Sequence, residues 1–106
     1  MKPDRRQYEA RARIAKALAH PSRLILLEAL QERELCVCEL TQLLGVDQST
    51  VSKHLAILRG VGLIDLRREG QMSYYRLTCK CLNGFFTCIE SVLRQHLKAQ
   101  QEALAS

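Results

Sequence analysis

Four of the five cysteines fall in two Cys-x-Cys pairs, Cys36-Val37-Cys38 and Cys79-Lys80-Cys81, and Cys88 stands alone. Thiolates are soft donors, so two of them one residue apart form a ready chelate for a soft, thiophilic ion. On a regular helix, residues two apart point about 200° away from each other, since each step turns about 100°. Cys36 and Cys38 would then grip one ion together only if their turn unwinds or deforms, which strains whatever that turn supports. Cys79 and Cys81 share the spacing and leave three uses open: a second thiolate site, a bridge, or packing. Cys88 lies close to an apolar stripe and reads as a packing residue at an interface between copies. The Cys-x-x-Cys spacing of thiol oxidoreductases is missing and no βαβ unit frames either pair, so the expectation is no enzyme.

A second chemistry-bearing stretch is Gln48-Ser49-Thr50-Val51-Ser52-Lys53-His54-Leu55. Gln48, Ser49, Thr50 and Ser52 can hydrogen-bond base edges or phosphates, Lys53 adds a positive charge, and His54 belongs to the same polar run. Further on, Arg67, Arg68 and Arg76 could reach adjacent phosphates or the minor groove.

Elements that could position these groups follow from periodicity. Tyr8, Ala12, Ala15, Leu18 and Ala19 recur at helical spacing over Arg6 to Ala19, with arginines and Lys16 on the other faces. Pro21 suits the first turn of a second helix running to about Gln31, with Leu24, Ile25, Leu27 and Leu30 as its core. A short helix from Cys36 to Leu44 stops at Gly45, which can adopt the left-handed conformation. Asp47 or Ser49 caps the next helix, whose inner stripe is Val51, Leu55 and Leu58. Leu63–Arg68 and Met72–Leu77, joined by Glu69-Gly70-Gln71, read as a β-hairpin. A long last helix from about Lys80 to Gln100 carries Leu82, Phe85, Phe86, Ile89, Leu93 and Leu97, and Glu102 to Ser106 should fray. Its stripe needs a cover, and the first helix of the same or another copy is the natural one.

The order helix, glycine turn, helix, hairpin is that of a winged helix-turn-helix, mainly α with a β wing. At 106 residues, 47% hydrophobic and 25% charged, the chain is expected to be one globular domain over residues 1–106. A net charge of +5 suits a polyanionic partner. The charge is uneven: residues 1–23 carry seven basic and two acidic side chains, residues 24–45 one basic and four acidic. No apolar run approaches a membrane span and the first residues lack a signal-peptide core, so a cytoplasmic protein with free thiols rather than a disulfide framework is expected.

The chain resembles the ArsR/SmtB family of bacterial metalloregulatory repressors. The likeness covers about residues 8 to 98 and is clearest in Leu18-Ala19-His20-Pro21-Ser22-Arg23-Leu24, Glu34-Leu35-Cys36-Val37-Cys38-Glu39-Leu40 and Val51-Ser52-Lys53-His54-Leu55-Ala56-Ile57-Leu58. It implies a homodimer built from the first and last helices, presenting two recognition helices to a partly palindromic operator on double-stranded DNA. In the arsenic-sensing branch, the positions of Cys36 and Cys38 are ligands for As(III) or Sb(III) in a three-coordinate thiolate site. That implies repression of an arsenic-resistance operon relieved by the inducer. Some members have a third cysteine where this chain has Thr41, which leaves a small thiol, a solvent oxygen or a cysteine from elsewhere as the third ligand. The zinc-sensing branch places carboxylate and histidine ligands on the last helix, where Cys79, Cys81, Val92 and Gln95 stand here. The cadmium and lead branch shares Cys-Val-Cys but adds N-terminal cysteines, and this chain has none before Cys36. A sensor of redox state or reactive sulfur, or of Cd or Pb, is the alternative within the same architecture. His20 and His54 read as structural or DNA-facing, since neither has a partner histidine at ligand spacing.

Overall fold

Capping chemistry sets most element boundaries. The Asp4 carboxylate accepts the Arg6 amide at the start of α1 (Arg5–Leu18). The His20 ring accepts the Ser22 amide at the start of α2 (Pro21–Glu32), with proline in its first turn. A two-residue strand β1 (Leu35–Cys36) runs directly into α3 (Val37–Leu44), which ends on Gly45 at φ +69° with the Gly45 amide donating to Thr41. Asp47 caps α4 (Gln48–Gly60), and β2 (Ile64–Glu69), β3 (Met72–Leu77) and α5 (Leu82–Ala105) follow. Residues 2–105 are described by this computed structural model.

The sheet has the order β1-β3-β2 and is antiparallel throughout. Glu69 pairs with Met72 across a two-residue turn, where Gly70 at φ +62° supplies the backbone conformation a tight hairpin needs. The expected two-stranded wing therefore gains a third strand: Leu35 and Cys36 lie opposite Tyr75 and Tyr74. Two residues are too few to show an alternation, which is why the sequence reads as helix from Cys36 onward.

Beneath the sheet and helices lies a leucine-rich core of Leu26, Leu27, Leu30, Leu40, Val51, Leu55, Leu58 and Ile64. The second helix turns differently from the expectation. Leu26 is fully buried and Ile25 is 47% exposed, because four consecutive apolar residues, Leu24 to Leu27, give no preferred face. The stripe of α4 is as read, with Val51, Leu55 and Leu58 completely covered.

Two helices keep most of their apolar surface outside this core. Only Ala17 and Leu18 of α1 and Leu82 of α5 are buried; Tyr8, Ile14, Ile89, Val92, Leu93 and Leu97 are exposed, Leu93 by 64%. The last helix begins at Leu82 rather than near Lys80, and it continues to Ala105 where fraying was expected. Alanine, glutamine, glutamate and leucine at its end are all strong helix formers. Ser106 lies outside the described residues.

Candidate functional site

At the front of α4, the Asp47 carboxylate accepts the Thr50 amide at 3.2 Å, the Thr50 hydroxyl at 2.7 Å and the Ser49 hydroxyl. The Ser49 and Thr50 hydroxyls, followed by the Thr50 amide, hold the Asp47 carboxyl down to about 2. The cap thus organises two predicted DNA contacts: the hydroxyl protons of Ser49 and Thr50 point to Asp47, and their oxygens keep lone pairs that can accept. Gln48, Ser49, Ser52 and Lys53 are exposed and Thr50 is half-buried. This places Gln48, Ser49, Ser52 and Lys53 on the open side of a helix whose inner side is locked into the core.

His54 departs from the polar run. It is half-buried, its ring lies 4.6 Å from that of His20, and its Nδ1 accepts the Arg23 Nε–H at 3.1 Å. Arg23 also reaches the Ala17 carbonyl at 3.4 Å. His54 therefore joins α4 to the α1–α2 corner rather than lying on the open face. Burial, then the charges of His20 and Arg23, push its pKa below the usual imidazole value. The two histidines do come together, which spacing along the chain could not show at a separation of 34 residues.

The wing arginines divide similarly. Arg68 is exposed near the hairpin tip. Arg67 is held by Glu34 at 3.2 Å and Glu69 at 2.9 Å, with its guanidinium 4.9 Å over the Tyr74 ring. Arg76 pairs across the hairpin with Asp65 at 3.3 Å. Arg67 and Arg76 are thus engaged within the protein, and Lys53 and Arg68 are the cations left presented to solvent among the predicted contacts.

Between wing and helices sits the thiol pair. Cys36 is not on the helix: it is the extended residue before it (φ −80°, ψ 165°), buried, while Cys38 in the first turn is exposed. The pair straddles a strand-to-helix junction, so the 200° opposition expected on a regular helix does not arise. The expected placement of both cysteines on one regular helix is thereby corrected: Cys36 ends β1 and only Cys38 lies in α3. Cys36 and Glu39 form a capping box: the Cys36 sulfur receives the Glu39 amide, and the Glu39 carboxylate accepts the Cys36 amide at 3.2 Å and Arg33 at 2.9 Å. The Glu39 amide pulls the Cys36 thiol down, but burial, the Glu39 carboxylate and Cys38 together raise it. The Cys36 amide, followed by Arg33 and the Cys36 side chain, lowers Glu39 below the usual carboxylate range. Thr41, at the third-cysteine position, donates its hydroxyl to the Val37 carbonyl at 2.7 Å. Among the described residues no three His, Cys, Asp or Glu side chains gather into a metal-binding cluster.

Glu34, Glu39, Arg33, Arg23 and His20 are the participants not read from the sequence as site partners. A glutamate three residues after Cys36 is a capping-box signature and could have been found; the Arg23–His54 and Glu34–Arg67 pairs span 31 and 33 residues and leave no local trace. Cys36, Cys38 and Cys88 are free, as the expectation of free thiols rather than a disulfide framework has it, and Cys79 and Cys81 take the bridge among the three uses left open for them. They lie ahead of α5, in an irregular link where helical spacing does not hold them apart.

An exposed, polar, capped helix anchored from below and flanked by a β-hairpin defines a winged helix-turn-helix DNA reader. The model of the family described as "Bacterial regulatory protein, arsR family" matches residues 20–65. A transcriptional repressor SmtB homolog from Synechocystis sp. is 46% identical over 71 residues, 67% of this chain and 54% of that protein. The chain thus spans about half the length of that relative. The arsenical resistance operon repressor of Bacillus subtilis is 41% identical over 83 residues, 77% of this chain and 76% of that one. Among solved structures, the homodimeric winged helix-turn-helix DNA-binding domain of a possible ArsR-family transcriptional regulator from Mycobacterium bovis superposes with a TM-score of 0.78. It is 32% identical, covering 92% of this chain and 93% of that one. The chain belongs to the arsR family of bacterial regulatory proteins, a family of DNA-binding transcriptional regulators and not of enzymes.

Proposed function

We propose that the protein is a homodimeric repressor that occupies an operator when ligand-free and is released when Cys36 and Cys38 capture As(III) or Sb(III). The observation that carries this reading is the position of the thiol pair. Cys36 is at once the last residue of β1, paired with Tyr74 of the wing, and the N-cap of α3, the helix that precedes the reading helix. A ligand on its sulfur acts on both DNA-facing units from one atom. The likeness to a repressor named for arsenical resistance supports the inducer class.

The chemistry balances without an acid or base. Each thiol replaces one hydroxyl of trihydroxyarsenic and its proton leaves with that hydroxyl as water. A divalent ion such as Cd(II) must instead expel the two thiol protons into solution. The third position falls to a small thiol, a solvent oxygen or a cysteine from elsewhere, with no third donor clustered beside the pair among the described residues. Gln48, Ser49, Thr50 and Ser52 supply polar contacts to bases or phosphates, Lys53 and Arg68 supply phosphate contacts, and His54 acts by fixing the angle of α4. Dimerisation through α1 and α5 covers the apolar face that one copy leaves open, residues 1–106 forming one winged-helix domain. Among the described residues no helix is long and apolar enough to cross a membrane.

The test is a DNA-release titration of the reduced protein with As(III), Sb(III), Cd(II) and Zn(II). Release by the first two at stoichiometric amounts supports the reading; release by Cd(II) or Zn(II) alone overturns the inducer assignment.

A further inference from the structure

Cys79 and Cys81 are joined in the link between Leu77, the end of β3, and Leu82, the start of α5, and both are exposed. Leu77 and Leu82 are each only 8% exposed, so the link is pinned at both ends into the core. Hydrogen bonds brace it on either side: the Thr78 hydroxyl donates to the Gly62 carbonyl at 2.6 Å, and the Gly84 amide to the Cys81 carbonyl at 3.0 Å. A bridge across a single intervening residue closes so short a loop that it removes little freedom from the unfolded chain, so stapling the fold is not its use. An exposed disulfide in a chain that also carries free thiols, two of them exposed, belongs to the labile and exchangeable kind.

We propose that Cys79 and Cys81 form a reversible redox-modification site that takes a low-molecular-weight disulfide as its oxidant, and that closing it fixes the first turn of α5. Closure balances as two exchanges. One cysteine thiolate attacks the small disulfide and expels one small thiol, leaving a mixed disulfide. The second cysteine then attacks the protein sulfur of that bond and expels the other. Two protein thiols are oxidised, one small disulfide is reduced, and the two protein protons end on the two released thiols. The site lies ahead of the helix whose Ile89, Val92, Leu93 and Leu97 remain uncovered, so its state bears on how that helix leaves the core.

The full chain is equilibrated in glutathione buffers of increasing oxidised fraction, alkylated with N-ethylmaleimide and mapped by mass spectrometry. The peptide holding both cysteines should pass from doubly alkylated to unalkylated and return with dithiothreitol. Cys79→Ser should leave Cys81 carrying a mixed glutathione disulfide. Amide exchange at Asn83 and Gly84 should be about tenfold slower in the closed form. Alkylation at every buffer ratio, pairing with Cys88 instead, or equal exchange in the two forms would each overturn the proposal. Neither DNA nor arsenite enters the measurement, so its outcome is independent of the inducer assignment.

Discussion

His54 shows how one side chain in a reading helix can serve position instead of contact. As acceptor of the Arg23 Nε–H, its Nδ1 must be unprotonated, and burial together with His20 and Arg23 disfavours the imidazolium. Because the folded pKa lies below the unfolded value, the unfolded chain binds the extra proton first. The stability this junction contributes is thus complete above about pH 6.5 and declines as pH falls through the depressed value. The melting temperature of the native chain should therefore drop more steeply between about pH 6.5 and 5 than that of His54→Gln, as thermal unfolding monitored by circular dichroism will show. Lys53 belongs to the opposite class, exposed and without an internal partner among the described residues. Lys53→Ala should weaken DNA binding and make the slope of log affinity against log salt shallower by about 0.9, the loss of one phosphate contact. The polar run Gln48 to Lys53 was legible as a contact surface from residue types alone. The inward turn of His54 was not, since it depends on a partner 31 residues away.

At the scale of elements, α4 presents its polar turn because Val51, Leu55 and Leu58 are fully covered beneath it. Leu55→Ala should cost about 3 kcal/mol in urea unfolding, a lost buried side chain plus the cavity left behind. The wing depends on Arg67, which ties β2 to the segment before β1 through Glu34 and lies over Tyr74 of β3. Arg67→Ala should raise amide exchange across β2 and β3 by severalfold while changing the salt slope less than Lys53→Ala; a larger slope change would restore it as a phosphate contact. The helices were legible because caps and periodicity act locally: Asp47, Pro21 and Gly45 stand where α4, α2 and α3 begin or end. Strand β1 was hidden, since it exists only through its pairing with β3, and that pairing takes Cys36 off the helix.

For the molecule as a whole, exposed apolar side chains on α1 and α5 are the main unfinished business of the single copy. Ile89, Val92, Leu93 and Leu97 form a face on a helix that runs 24 residues, far longer than its one buried residue requires. Replacing Leu93 by Glu places charge on that face and should shift sedimentation from dimer to monomer and weaken operator binding together, because two reading helices bind as a unit. The need for a cover was readable from the stripe of α5, and the exposure of Tyr8 and Ile14 adds α1 to the same surface.

Joining these scales is the claim that a ligand on Cys36 and Cys38 alters the wing and the reading helix through β1 and α3. The most direct measurement is operator affinity of the reduced native chain and of the Cys36→Ser, Cys38→Ser double variant, each with and without arsenite. Arsenite should weaken binding of the native chain by at least about tenfold, a coupling of about 1.4 kcal/mol, and leave the double variant bound with its ligand-free affinity unchanged. A double variant released by arsenite as readily as the native chain would contradict the account.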